Sequence, residues 1–80
     1  MFRRRRWNQA DTTVLGYYHG WSCPRTLEEF LDAPTSQYDR RSALERAFAR
    51  LVEEGALVPV EDGWVLSEEV NERIERDGYR

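Results

Sequence analysis

Lysine is missing from this sequence, and cysteine, histidine and methionine occur once each. The lone Cys23 cannot close an internal disulfide, so a reducing, cytoplasmic setting is expected. A zinc centre needs about four ligands at recognisable spacing, and His19 with Cys23 do not approach that. Nor do they suggest a nucleophilic pair, because so short a chain has little room for a pocket and an oxyanion hole. There is no phosphate-cradling glycine loop and no catalytic triad. The paired carboxylates Glu28-Glu29 and Glu68-Glu69 suit helix N-termini, where the dipole favours negative charge, and do not form a general acid and base. No enzyme and no cofactor are therefore expected. No apolar run approaches the ~20 residues of a membrane span, so no membrane partner is expected either. The basic run near the N-terminus lacks the following apolar stretch of a secretory signal.

What is present is one domain's worth of chain. The 80 residues are 40% apolar and 34% charged, as in an ordinary soluble protein. A chain of this size buries roughly 60% of the surface it exposes when unfolded, enough for a single modest core. The net charge of −3 hides an asymmetry. Arg3, Arg4, Arg5 and Arg6 stand together, whereas residues 7–80 carry eight arginines against fifteen acids, or −7. Such a body repels phosphate overall, so contact with nucleic acid has to be local.

The pattern of apolar positions divides the chain into a basic arm, residues 1–10, and a domain, residues 11–80. Asp11 is suited to cap a first helix through TTVLGYYH, with Val14, Leu15 and Tyr18 at helical spacing, Gly20 as the stop and Trp21 as an anchor. Thr26 with Glu29 makes a capping box for a short second helix, in which Leu27, Phe30 and Leu31 face the core and Pro34 is the terminator. Ser36 with Asp39 repeats the pattern and opens a third helix. Along it, Leu44, Ala47, Phe48, Leu51 and Val52 form one stripe, and Gly55 ends it. On its solvated surface Arg41 can pair with Glu45, and Arg50 with Glu53 or Glu54.

ALVPV then reads as a strand, EDG as a tight turn and WVL as the returning strand, with Asp62-Gly63 as the hairpin signal. Ser67 caps a last helix at about 68–77, which docks through Val70 and Ile74. Trp21, Phe30, Phe48 and Trp64 are expected in the core. Tyr17 and Tyr18 are adjacent, so at most one is expected to point inward. The expected fold is mainly α with a small β-hairpin, an α+β domain of three helices, a two-stranded hairpin and a C-terminal helix.

The segments RTLEEFLDA, SALERAFARLVEEGALVPV and EDGWVLS, in that order, resemble the winged helix-turn-helix family over about residues 11–68. The resemblance implies that the third helix enters a major groove by its N-terminal half while the hairpin, the wing, touches the backbone. Carried onto this chain, the readers are Gln37, Tyr38, Arg40, Arg41, Ser42 and Arg46, since arginine and glutamine bond bidentately to guanine and adenine edges. The sequence departs from the pattern at the wing tip, where Glu61 and Asp62 stand in place of basic residues.

Two functions follow. The first is a DNA-binding transcriptional regulator using the third helix and the arm Arg3–Arg6, with double-stranded DNA as partner. The second is a protein or peptide interaction module, in keeping with the acidic body and tip. The arm itself suits a groove or phosphates, an acidic protein, or a solubilising tail. Trp7 beside it either stacks on a base or clips the arm to the body. A homodimer is open, because Val70 and Ile74 alone make a slight ridge that an intramolecular contact would equally use.

Overall fold

A computed structural model of the chain describes residues 6–19, 25–33 and 40–79. These residues form four helices and one two-stranded antiparallel sheet, a mainly helical α+β arrangement. The elements are α1 (Gln9–His19), α2 (Leu27–Leu31), α3 (Arg41–Glu53), β1 (Leu57–Val60), β2 (Gly63–Leu66) and α4 (Glu68–Asp77).

The first helix starts earlier than expected. Asn8 is the capping residue: its Oδ1 accepts from the Asp11 N–H at 2.8 Å, and Asp11 Oδ2 accepts from the Asn8 N–H at 3.1 Å. This reciprocal pair has the geometry of a capping box, so Asp11 sits one turn inside the helix and is not the cap. Residues 7–10, assigned on sequence to the arm, belong to the body: Gln9 and Ala10 are in the first turn of α1, and Trp7 is buried. The start of α2 follows expectation, with both halves of the capping box formed: Thr26 Oγ1 accepts from Glu29 N–H, and Glu29 Oε1 accepts from Thr26 N–H. Gly20, Trp21, Cys23, Pro34, Ser36, Gln37, Tyr38 and Asp39 lie outside the described residues, so their expected roles as stop, anchor, terminator, cap and readers do too. The third helix begins at Arg41, with Arg40 extended at the cap position, and not directly after Ser36.

The passage from α3 into the hairpin is a Schellman turn. Gly55, at φ +83°, puts its N–H on the Val52 carbonyl, and Ala56 N–H reaches the Leu51 carbonyl at 2.8 Å. Leu57 then pairs with Leu66, Val58 with Val65, Pro59 with Trp64 and Val60 with Gly63. Glu61 and Asp62 connect the strands without positive φ, which falls at Gly63 (φ +143°). In this register the backbone groups of Trp64 face away from β1, and they bond to Arg25: Trp64 N–H to the Arg25 carbonyl at 2.9 Å, Arg25 N–H to the Trp64 carbonyl at 3.2 Å. The hairpin is thereby tied to the entrance of α2. Pro59, opposite Trp64, turns its missing N–H toward the outer edge of β1, where no ladder bond is lost.

The core gathers Trp7, Val14, Leu15, Tyr18, Phe30, Leu44, Ala47, Phe48, Leu51, Ala56, Leu57, Leu66, Val70 and Ile74. Trp64 covers it edge-on to Phe48, ring centroids 5.3 Å apart at 88°. Tyr18 is buried, and Tyr17 is half-buried yet also packs on Phe30 at 5.1 Å, so neither tyrosine is a bare surface residue. Ser67 Oγ accepts from Val70 N–H at the start of α4, and Val70 with Ile74 pack into this same core.

Candidate nucleic-acid interface

The N-terminal end of α3 presents a set of basic side chains. Arg40, Arg41, Ser42 and Arg46 are all exposed. The apolar stripe turns Leu44, Ala47, Phe48 and Leu51 inward, and with 3.6 residues per turn Ser42, Arg46 and Ala49 then point the opposite way. Arg40 and Arg41 lie at the flank. Among the described residues, no ion pair holds the guanidinium of Arg40, Arg41 or Arg46. No side chain of Arg40 caps the helix and its first turn contains no acid, so the positive end of the helix dipole adds to the arginines. Exposed Glu45 and Glu53 interrupt the basic surface.

The expected pairs Arg41–Glu45 and Arg50–Glu53 or Glu54 do not form. In them the arginine precedes the acid, the weaker order along a helix. Arg50 has a stronger partner: its Nη2 lies 3.0 Å from Asp11 Oδ1. Asp11 is fully buried, while the Arg50 side chain is 42% exposed. One carboxylate therefore holds the backbone N–H of Asn8 with one oxygen and Arg50 of α3 with the other. That places the start of α1, and the chain entering it from Arg6, beside α3. Arg46 is one turn from Arg50 on the same ridge, about 6 Å along the axis.

Trp7 is the second fixed point. It is 5% exposed, and the guanidinium carbon of Arg73 in α4 lies 3.7 Å from the centroid of its ring. The indole clips the arm to the body by its face, since its Nε1 makes no hydrogen bond among the described residues. A desolvated cation–π contact of this kind is worth about 2 kcal/mol. Arg6 is exposed. Arg3, Arg4 and Arg5 lie outside the described residues.

Asp11, Arg50 and Arg73 were missed as contributors. Asn8-x-x-Asp11 was a legible box pattern, and Arg73 stands between Val70 and Ile74 at helical spacing. The pairing of residues 11 and 50 left no local signal.

Elsewhere the hairpin tip is acidic, with Glu61 and Asp62 exposed, and its outer face carries Val58 and Val60, 39% and 41% exposed. Near α2, Glu29 is held below the ordinary carboxylate range, first by the Thr26 N–H and then by Arg25, whose Nη1 is 2.9 Å from Oε2. Burial pushes the Tyr18 phenol up, and its hydroxyl lies within hydrogen-bond distance of the Arg25 and Thr26 carbonyls. Among the described residues, no helix is long and apolar enough to cross a membrane.

Comparison with known proteins adds no relative: no family model matches the chain, and no curated protein or solved structure matches it.

Proposed function

We propose that this chain is a winged helix-turn-helix protein that binds double-stranded DNA and acts as a transcriptional regulator in the cytoplasm. The observation that carries the proposal is the exposed trio Arg40, Arg41 and Arg46, free of ion pairs among the described residues, at the uncapped start of α3. The order of α1, α2, α3, hairpin and α4 supports the fold assignment, as does the tie between hairpin and α2 through Arg25 and Trp64.

In this arrangement α3 enters the major groove by its N-terminal half. Arg46 and Ser42 face base edges, where a bidentate arginine selects guanine. Arg40 and Arg41 meet the flanking phosphates together with the free N–H groups of the first turn. The acidic tip of Glu61 and Asp62 stays off the backbone, which leaves the arm Arg3–Arg6 to supply the remaining phosphate contacts. The affinity is strongly salt-dependent: each phosphate neutralised contributes about −0.9 to the slope of log K against log salt.

The test is a fluorescence-anisotropy titration of mixed-sequence duplex at low and moderate salt, with Arg40→Ala/Arg41→Ala and a deletion of Arg3–Arg6 alongside. Salt-sensitive binding that the helix variant loses supports a groove reader. Loss only in the deletion reduces the activity to a nonspecific basic arm. Absence of binding at low salt overturns the proposal.

The exposed Val58 and Val60 and the acidic tip favour a second reading, a protein or peptide interaction module working through the hairpin. It predicts no low-salt DNA binding, and capture of a protein partner that Val58→Thr/Val60→Thr abolishes.

A further inference from the structure

Arg50 is held on one side and open on the other. Its Nη2 lies 3.0 Å from Asp11 Oδ1, yet 42% of its side chain is exposed. A guanidinium has five N–H donors, and this bond uses one of them. Nε and Nη1 make no hydrogen bond among the described residues, and neither is buried. Holding Asp11 therefore leaves most of the bonding capacity of Arg50 turned to solvent.

The pinning lowers the cost of a further contact. An exposed arginine samples many rotamers, and a ligand that engages it must freeze them. Asp11 has restricted them in advance. It is fully buried, and its other oxygen accepts from the Asn8 N–H at 3.1 Å. Its charge is answered from behind as well, because it stands in the first turn of α1, at the positive end of the helix dipole. Charge thus alternates outward from α1: helix terminus, carboxylate, guanidinium. An anion is the next member of that series.

Position on α3 selects which anion. Ser42, Arg46 and Arg50 stand at i, i+4 and i+8 and span about 12 Å along the axis. Each step turns about 40°, which carries Arg50 toward the α1 side of the face that Ser42 and Arg46 share. A helix that enters a groove by its N-terminal half keeps its later turns at the rim, and phosphates line that rim. Glu53 and Glu54, three and four residues on, do not take up the guanidinium.

We infer that Arg50 is a phosphate-contacting residue: held by Asp11, its guanidinium binds the sugar–phosphate backbone at the rim of the groove that α3 enters. This rests on the DNA-binding reading above, and it adds a cation that the trio Arg40, Arg41 and Arg46 does not include.

The experiment is a fluorescence-anisotropy titration of the full chain with mixed-sequence duplex between about 50 and about 200 mM salt, where counterion release sets the slope. Arg50→Gln removes the cation and keeps an amide donor for Asp11, whereas Arg50→Lys keeps a cation. Circular dichroism checks that each variant is folded. One lost phosphate contact reduces the slope of log K against log salt by about 0.9, so over this range Arg50→Gln loses about 3.5-fold less affinity than the parent. Arg50→Lys keeps the parent slope. The NMR resonance of the Arg50 Nε–H group, assigned by its disappearance in Arg50→Lys, moves when duplex is added to the parent; this readout covers the case in which Arg50→Gln does not fold. An Arg50 that only ties α1 to α3 would lower affinity by the same factor at every salt concentration. An unchanged slope in Arg50→Gln therefore overturns the inference while DNA binding stands, and so does a resonance that duplex leaves in place. A parent chain that binds no DNA overturns both.

Discussion

Replacing Gly63 with alanine puts a methyl group where the backbone of the next element already stands. A Cβ built there meets the Arg25 carbonyl carbon and oxygen at 2.6 Å and the Thr26 nitrogen at 3.0 Å, against an ordinary carbon contact of about 3.5–4.0 Å. These atoms are backbone and cannot rotate away. Relief therefore requires the hairpin to withdraw from Arg25 and give up the two Arg25–Trp64 hydrogen bonds, each worth about 0.5–1.5 kcal/mol. The left-handed φ of +143° adds about 1–3 kcal/mol for a residue with a side chain. The stiffer unfolded chain returns about 0.4–1 kcal/mol. The balance is a loss of about 1–6 kcal/mol with a midpoint of about 3, a large share of the roughly 4–12 kcal/mol expected for a domain of this size. Urea denaturation followed by circular dichroism measures it. Gly55→Ala is the control, because Gly55 also has positive φ but its Cβ would meet nothing within 4 Å. If the two variants lose equal stability, the close approach to Arg25 has no energetic consequence and the argument for Gly63 fails.

Two further predictions concern the charges. Arg50→Met leaves the buried Asp11 carboxylate without its α3 partner and lowers stability by about 2–3 kcal/mol, below the 3–5 of a fully buried pair because Arg50 is 42% exposed; an unchanged urea midpoint refutes this. Because the folded pKa of Glu29 is lowered, its support of α2 is fully present above its ordinary value of 4.5 and is lost as pH falls through the lower folded value. The carboxyl resonance of Glu29 followed by NMR should titrate below 4.5 and move upward in Thr26→Ala, and a midpoint at or above 4.5 in the parent contradicts the box.

The elements themselves were legible because their signals are local. Thr26-x-x-Glu29 specifies a helix start with atoms three residues apart, the stripe from Leu44 to Val52 specifies one buried face, and Gly55 and Asp62-Gly63 mark the turns. The boundary of α1 was misplaced for a related reason: Asp11 fits both the cap and the third helical position, and only the contact with Asn8 distinguishes them. Exposure of Arg40, Arg41, Ser42 and Arg46 also followed from the wheel. Whether an arginine is free was less legible, since Arg50 had acids three and four residues away and took one thirty-nine residues away.

Sequence alone, then, determined four helices and a hairpin in order, the main apolar stripe of the helices and the surplus of basic charge at two places. These depend on periodicity and on bonds that span a single turn of backbone. Only the tertiary structure decided that Asp11 answers Arg50, that Trp7 stacks on Arg73, and that Gly63 must lie against Arg25. Each joins residues far apart in the chain, where the energy depends on burial and ångström-scale approach. Through Asp11 and Arg50, packing set the root of the arginine run beside the helix it is proposed to assist.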